Sequence, residues 1–210
     1  MGEYWIAAIA DGIGGSSGGE IASKLAIEEV QSKLVMPGQM RNAFESARAS
    51  IRSRSLSKPD LAKMGTTLSC ILMADGTAEV GHVGDTRITH FRGGGVMART
   101  QDQTEVQRLL DNGIITIGQA KRHPRRNVIY SALSGRTDKY TLFDGEFDIQ
   151  VGDRIVLSSD GFHSHFLRRE LAGISESSST LESFVKSVEM KLKNEELVDD
   201  ATAIFMEVTA

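Results

Sequence analysis

The sequence predicts an α+β fold with antiparallel sheets and helices in separate blocks, and three observations carry that expectation. The apolar period is helical in two early segments, becomes strand-like through the middle, and is helical again in two late segments before a last strand. Strands and helices do not alternate, as a doubly wound parallel sheet would require. Glycine makes up 21 of the 210 residues and gathers in short segments between apolar runs, the pattern of many tight turns. Three prolines and no Ser-rich linker leave nothing that divides the chain, so one domain over residues 1–210 is expected.

Trp5–Ala10 is short, apolar and ends abruptly at Asp11-Gly12, which reads as a buried strand. Between Gly19 and Leu34, the residues Ile21, Ala22, Leu25, Ala26, Val30 and Leu34 recur at three and four, an amphipathic helix stopped by Pro37. Met40, Ala43, Phe44, Ala47 and Ile51 keep that period on a second helix. Strands are expected at 67–73, 77–83 and 87–91, the first two joined through Asp75-Gly76 in a hairpin turn. A short helix at 104–110 ends at Asn112-Gly113. Further strands are expected at 127–133, 142–149 and 154–158, helices at 166–171 and 181–192, and a closing strand at 201–208.

Composition excludes several classes. Forty per cent hydrophobic and 25% charged residues are those of a globular chain. Twenty-four basic against 28 acidic residues give a net charge of −4, without the basic footprint of a nucleic-acid partner. The run Trp5–Ala10 is far short of the roughly 20 residues that span a bilayer, and no signal segment opens the chain, so a cytoplasmic protein without a membrane partner is expected. One cysteine, Cys70, forms neither an internal disulfide nor a thiolate metal cage.

The aspartates are the most informative residues. Asp11 and Asp160 follow strand-like runs, Asp85 lies between two, and Asp199 precedes the last. Carboxylates at strand ends reach a shared sheet edge, and their repulsion is relieved by a hard divalent cation such as Mg²⁺ or Mn²⁺. Asp-Gly is also a common turn dipeptide, and it occurs four times. Asp75-Gly76 and Asp144-Gly145, between strand-like runs, read as simple turns. Asp11-Gly12 and Asp160-Gly161 instead lead into helix-forming stretches. The loop Gly12–Glu20 fails the dinucleotide fingerprint, because position 17 is serine, and lacks the lysine of a P-loop.

Asp11-Gly-Ile-Gly-Gly15 followed by Gly19-Glu-Ile-Ala-Ser23 resembles the first motif of the metal-dependent serine/threonine protein phosphatases, the type 2C family. Met64-Gly-Thr-Thr67, Gly84-Asp-Thr-Arg87, His123-Pro-Arg-Arg-Asn127, Leu157-Ser-Ser-Asp-Gly161 and Asp199-Asp-Ala-Thr202 follow in that family's order. The resemblance implies a four-layer α-β-β-α sandwich of two antiparallel sheets between helix pairs. It implies hydrolysis of phosphoserine and phosphothreonine in proteins by a metal-activated water at a two-metal centre, with a third ion in bacterial relatives. By position, Asp11 bridges two Mg²⁺ or Mn²⁺ ions and the Gly12 carbonyl is a further ligand. Asp160 and Asp199 complete the first ion's shell, and Asp85 serves the third. A phosphoprotein substrate and a cognate Ser/Thr kinase are the implied partners. In that family a strand and an Asn-Glu-Asp motif, with a phosphate-contacting arginine, precede the Asp-Gly motif. Only ten residues precede Asp11, so a domain lacking its first strand or strands is expected. Ile13 stands where some members carry histidine. The last motif reads Asp-Asp, so Asp200 competes with Asp199, which is favoured by position. The rival reading is a catalytically silent phosphatase-like domain that binds or regulates a phosphoprotein or kinase; the acidic balance opposes a metal-dependent nuclease.

Other candidates read structurally. His123 sits in a basic loop with Arg122, Arg125 and Arg126, either a phosphate-recruiting cluster or a solvated loop. His82 alternates with apolar neighbours, and Arg87 is expected to pair with Asp85 or a neighbouring carboxylate. His163 and His165, two residues apart, do not share a helical face.

Overall fold

The computed structural model describes residues 3–13, 17–137, 139–197 and 199–209. The chain enters through β1 (Tyr4–Ile9) and the short β2 (Gly12–Ile13), then forms a helix pair, α1 (Ser17–Lys33) and α2 (Met40–Ser57). The strands β3 (Gly65–Thr66), β4 (Leu68–Ala74), β5 (Thr77–Val83), β6 (Arg87–Arg92) and β7 (Gly95–Arg99) follow. Two short helices, α3 (Glu105–Asp111) and α4 (Ile117–Ala120), precede β8 (Leu133–Ser134), β9 (Phe143–Asp148) and β10 (Arg154–Ser158). The helices α5 (Asp160–His163), α6 (Arg168–Ser177) and α7 (Leu181–Leu192) lead to β11 (Ala203–Glu207).

Two four-stranded antiparallel sheets result, ordered β1-β4-β5-β9 and β11-β10-β6-β7, with a small third sheet β2-β3-β8. Three apolar layers hold them. Val30, Ala43, Phe44, Ala47 and Ile51 of the first helix pair cover Leu68, Cys70 and Leu72 on the outer face of the first sheet. Ile71, Val80, Ile88, Ile155 and Leu157 fill the space between the sheets. Phe91 and Val156 carry Phe162, Phe166, Leu171 and Phe184 on the outer face of the second. Successive side chains point to opposite faces of a strand. Both faces of β4 and β10 are covered, so those strands read as continuous apolar runs. The architecture is the expected α-β-β-α sandwich. Gly81 sets the helix–sheet spacing, because a Cβ there would stand 2.5 Å from the Phe44 ring.

Several elements differ from expectation. β1 is an edge strand, with Trp5 70% exposed, where the sequence predicts a buried one. The expected strand at 127–133 reduces to Leu133–Ser134 and an isolated bridge between Ile129 and Thr104. Val128 and Tyr130 lie exposed on the surface there, so only the end of the run, at the buried Leu133, joins a sheet. Asp144-Gly145 is no turn but part of β9, paired with Gly81 and Val80. β7 is missed by the sequence reading because its side chains are half-buried or exposed, and no apolar run marks it. The late helix expected at 166–171 runs instead from Arg168 to Ser177. The Asp75-Gly76 turn is as expected, with φ of 49° and 77° at its two residues.

Candidate metal centre

The early motifs converge on Asp11 through the backbone. Its N–H donates to Thr67 Oγ1 at 2.9 Å, and its carbonyl accepts from Thr67 N at 2.9 Å and Thr66 Oγ1 at 2.8 Å. The run Met64-Gly-Thr-Thr67 is thus the clamp that fixes where the Asp11 carboxylate starts. Gly12 is required beside it, since a Cβ would stand 2.4 Å from the backbone of Gly19 at the start of α1. The Gly14–Ser16 part of the glycine loop lies outside the described residues.

Asp160 opens α5 directly after β10, and its Oδ1 accepts the N–H of Gly161 at 2.7 Å. Ser159 ties that corner to the last motif: its N–H donates to Thr202 O, and its Oγ accepts from Thr202 N, both at 3.0 Å. A Cβ on Gly161 would stand 2.4 Å from the Asp200 carbonyl oxygen. Only glycine therefore lets the Asp199-Asp200 segment close over Asp160. Asp199 Oδ1 accepts the N–H of Asp200 at 2.8 Å.

Asp85 sits in the β5–β6 turn, which is held on three sides. Gly84, at φ +107°, exchanges hydrogen bonds with Gln103 at 3.0 and 2.7 Å. Thr86 Oγ1 meets the buried Ser69 Oγ at 2.8 Å, and Ser69 in turn meets His82 Nδ1 at 2.8 Å. His163 Nε2 donates to the Asp85 carbonyl at 2.9 Å. Burial pushes both His82 and His163 down to about 4, so both rings are neutral at pH 7. Arg87 forks onto Asp102 with two bonds of 2.6 Å, the neighbouring-carboxylate pairing expected for it. Burial alone would raise Asp102, but the Arg87 fork outweighs it and holds the carboxyl below the usual range.

The electrostatics of the cluster follow. Burial, and then the charges of Asp160 and Asp199, push the Asp11 carboxyl up to about 6; Asp160 also hydrogen-bonds to it. Burial, then the charges of Asp160, Asp102 and Asp11, push Asp85 up to about 7. Asp160 is the strongest charge on both Asp11 and Asp85, while Asp199 and Asp200 act on Asp11, and Asp102 and Asp11 on Asp85, through charge. Among the described residues no three acidic or imidazole groups close into a finished ligand cage. What is present is an open set of oxygen donors that raise one another's proton affinity. That donor chemistry fits a hard divalent ion. Asp199 acts on Asp11 more strongly than Asp200 does, in line with its place in the motif.

The remaining candidates fall elsewhere. His123 accepts the N–H of Arg125, which pairs with Glu105 at 2.7 Å, so this basic loop is tied to its own neighbourhood. His165 turns to Glu195, away from His163. Gln103 and Asp102, which hold the Asp85 turn, escaped the sequence reading; no periodicity or dipeptide marks them.

The model of the protein phosphatase 2C family matches residues 1–200. The serine/threonine protein phosphatase PstP of Mycobacterium tuberculosis is 38% identical over 162 residues, 73% of this chain and 31% of that protein. The chain thus spans about a third of that curated relative. The protein phosphatase PhpP of Streptococcus pneumoniae is 29% identical over 174 residues, 79% of this chain and 70% of PhpP. A crystal structure of M. tuberculosis PstP superposes with a TM-score of 0.85 at 31% identity, covering 98% of this chain and 88% of that one. The catalytic domain of PstP in complex with two manganese ions superposes with a TM-score of 0.80 at 30% identity, covering 100% and 93%. With the match of the family model over residues 1–200 and these relatives on the same sandwich, the chain belongs to the protein phosphatase 2C family.

Proposed function

We propose that this protein hydrolyses phosphoserine and phosphothreonine in proteins with Mg²⁺ or Mn²⁺ held at the Asp11–Asp160 corner. The observation that carries the reading is the convergence of Asp11 and Asp85 on Asp160, with burial and neighbouring carboxylate charge pushing the Asp11 and Asp85 carboxyls up. Asp11, the Gly12 carbonyl, Asp160 and Asp199 would hold two ions, and Asp85 a third. When bound, such cations lower the pKa of a shared water and neutralise the charge that develops on phosphoryl oxygens. The chain's own part is positioning. Thr66 and Thr67 fix Asp11, Ser159 and Thr202 fix the Asp160–Asp199 corner, and Gln103, Ser69 and His163 fix the Asp85 turn. Without cations, Asp11 and Asp85 hold protons near neutrality on the carboxyl groups that would ligate.

No covalent nucleophile is needed. Cys70 lies inside β4 facing Met40, and burial pushes its thiol well above the usual range. Residues 1–210 act as one catalytic domain, opposed by a cognate Ser/Thr kinase, and a cytoplasmic setting suits those partners. Among the described residues no helix is long and apolar enough to cross a membrane. The test is hydrolysis of p-nitrophenyl phosphate and a phosphoserine peptide. Activity is expected with Mn²⁺, is lost with EDTA, and survives thiol alkylation. Mn²⁺ binding without turnover of either substrate would instead favour a silent binding domain.

A further inference from the structure

A second charged feature lies beside the acidic corner and has the opposite sign. In the β6–β10 register Arg87 faces Ser158, and in the β6–β7 register Thr89 faces Arg99. Directly opposed residues share a face, so Arg87, Thr89, Ser158 and Arg99 all stand on the outer face of the second sheet. Further along that face Phe91 and Val156 are covered by helices; at the metal end Thr89 and Ser158 are buried too, and a narrow groove of about 30 Å³ remains, lined also by Arg87 and Arg99. His163, Phe166 and Arg168 form its other wall. Leu167 and Arg168 continue it into a cleft of about 510 Å³ over Gly94 and Val96.

Three arginines share this groove, and they are unequally matched. Arg87 is neutralised by Asp102. Arg168 donates to the Val96 carbonyl at 3.2 Å, a neutral acceptor. Among the described residues, neither Arg99 nor Arg168 forms an ion pair with a carboxylate. The Glu176 carboxylate, on α6, lies over Gly94 at one side of the same cleft and bonds neither arginine. Burial, then the charges of Arg87 and Arg168, hold the Arg99 guanidinium below its usual range despite Asp102. Both guanidinium groups reach solvent, and a guanidinium without a carboxylate partner can take an oxyanion through charge-assisted and bidentate bonds.

The groove's place decides which oxyanion. Ser158 precedes Asp160 by two residues, about 7 Å of extended chain, and Arg87 follows Asp85 by the same interval. Two residues lining this groove, Arg87 and Ser158, are thus each two positions from a carboxylate of the acidic corner, so an anion held here is a near neighbour, within one substrate segment, of a phosphoryl group at that corner. We propose that Arg99 and Arg168 form a second anion subsite that takes another phosphoryl or carboxylate side chain of the same substrate. This rests on the hydrolytic reading above and adds a substrate class to it: multiply phosphorylated or acidic segments.

The experiment uses the full chain with Mn²⁺ and peptides carrying one phosphoserine flanked by alanines. Parallel peptides place a second phosphoserine, or a glutamate, two, three or four residues to either side. At one or more positions the second phosphoserine is expected to raise kcat/KM about tenfold, and glutamate about threefold, relative to the alanine-flanked peptide. The size of the two gains separates phosphoryl from carboxylate recognition. In Arg99→Gln and in Arg99→Gln/Arg168→Gln that ratio should fall towards one, Arg99→Lys should keep part of it, and 0.5 M salt should reduce it in the wild type. Fluorescence anisotropy of labelled peptides in EDTA should show the same preference as affinity, without turnover. No gain at any position, or a gain that survives the double substitution, overturns the subsite. If no substrate is hydrolysed the catalytic reading fails, and the anisotropy ratio alone decides the subsite.

Discussion

Asp160 and Gly161 do different jobs within one dipeptide. Asp160 contributes its charge to both Asp11 and Asp85, so it sits electrically at the middle of the cluster. Asp160→Asn removes an anionic oxygen donor, and calorimetry should show Mn²⁺ affinity reduced at least tenfold with an unchanged far-UV spectrum. Gly161 contributes an absence of side chain. Gly161→Ala would drive a methyl into the Asp200 carbonyl and displace the segment carrying Asp199. Its expected signature is a folded protein with a Tm lowered by a few degrees and weaker Mn²⁺ binding. Asp11 and Asp160 were legible because a strand-like run ending in Asp-Gly and leading into a helix has few other readings. Asp102 was not, because an aspartate in a polar segment acquires meaning only when Arg87 meets it.

Among the elements, β6 and the turn before β10 are joined by a buried carboxylate. Asp153, 1% exposed, accepts Arg92 Nε and Nη2 at 2.8 and 2.7 Å, His90 Nε2 at 2.8 Å and Gln150 N at 3.0 Å. Burial alone would raise its carboxyl, but these donors outweigh it and hold the group at about 2. The folded value lies below the unfolded 3.8. The stabilisation is thus fully present above about pH 5 and is lost as the pH falls from there towards 2. Asp153→Asn leaves Arg92 without its counter-charge and takes an acceptor oxygen from the buried cluster, and should cost about 3 kcal/mol at pH 7 by denaturant unfolding. It should also flatten the stability profile between pH 5 and 3. Strand periodicity identified β4, β5, β6 and β10 because core presses on them from both sides. It misread 127–133 because a local apolar run says nothing of whether another surface comes to meet it.

For the molecule as a whole, the acidic corner works against folding when no cation is present. Asp11 and Asp85 have folded values of about 6 and about 7, above the unfolded 3.8. The folded state therefore holds more protons than the unfolded one between these limits, and this contribution to stability is lost as pH rises through 6 to 7. A divalent ion replaces those protons and binds only the folded chain. The rise in Tm on adding Mn²⁺ should accordingly be small at pH 5 and grow towards pH 8; an increment independent of pH would place the bound ion away from Asp11 and Asp85.

The sequence by itself determined the α+β class, the helix pair before the sheets, the hairpin at Asp75-Gly76 and the family, through six short motifs in order. These are local properties: the period of apolar residues, the turn chemistry of Asp-Gly, and residue types at fixed spacing. Only the tertiary structure decided that β1 is an edge, that β7 exists, and that Asp102 and Gln103 stand behind the aspartates that the motifs mark. Those outcomes depend on which surfaces meet after the two sheets stack. A carboxylate's burial, partner and proton affinity are set by groups that lie up to about 190 positions away in the chain and within a few ångströms in space.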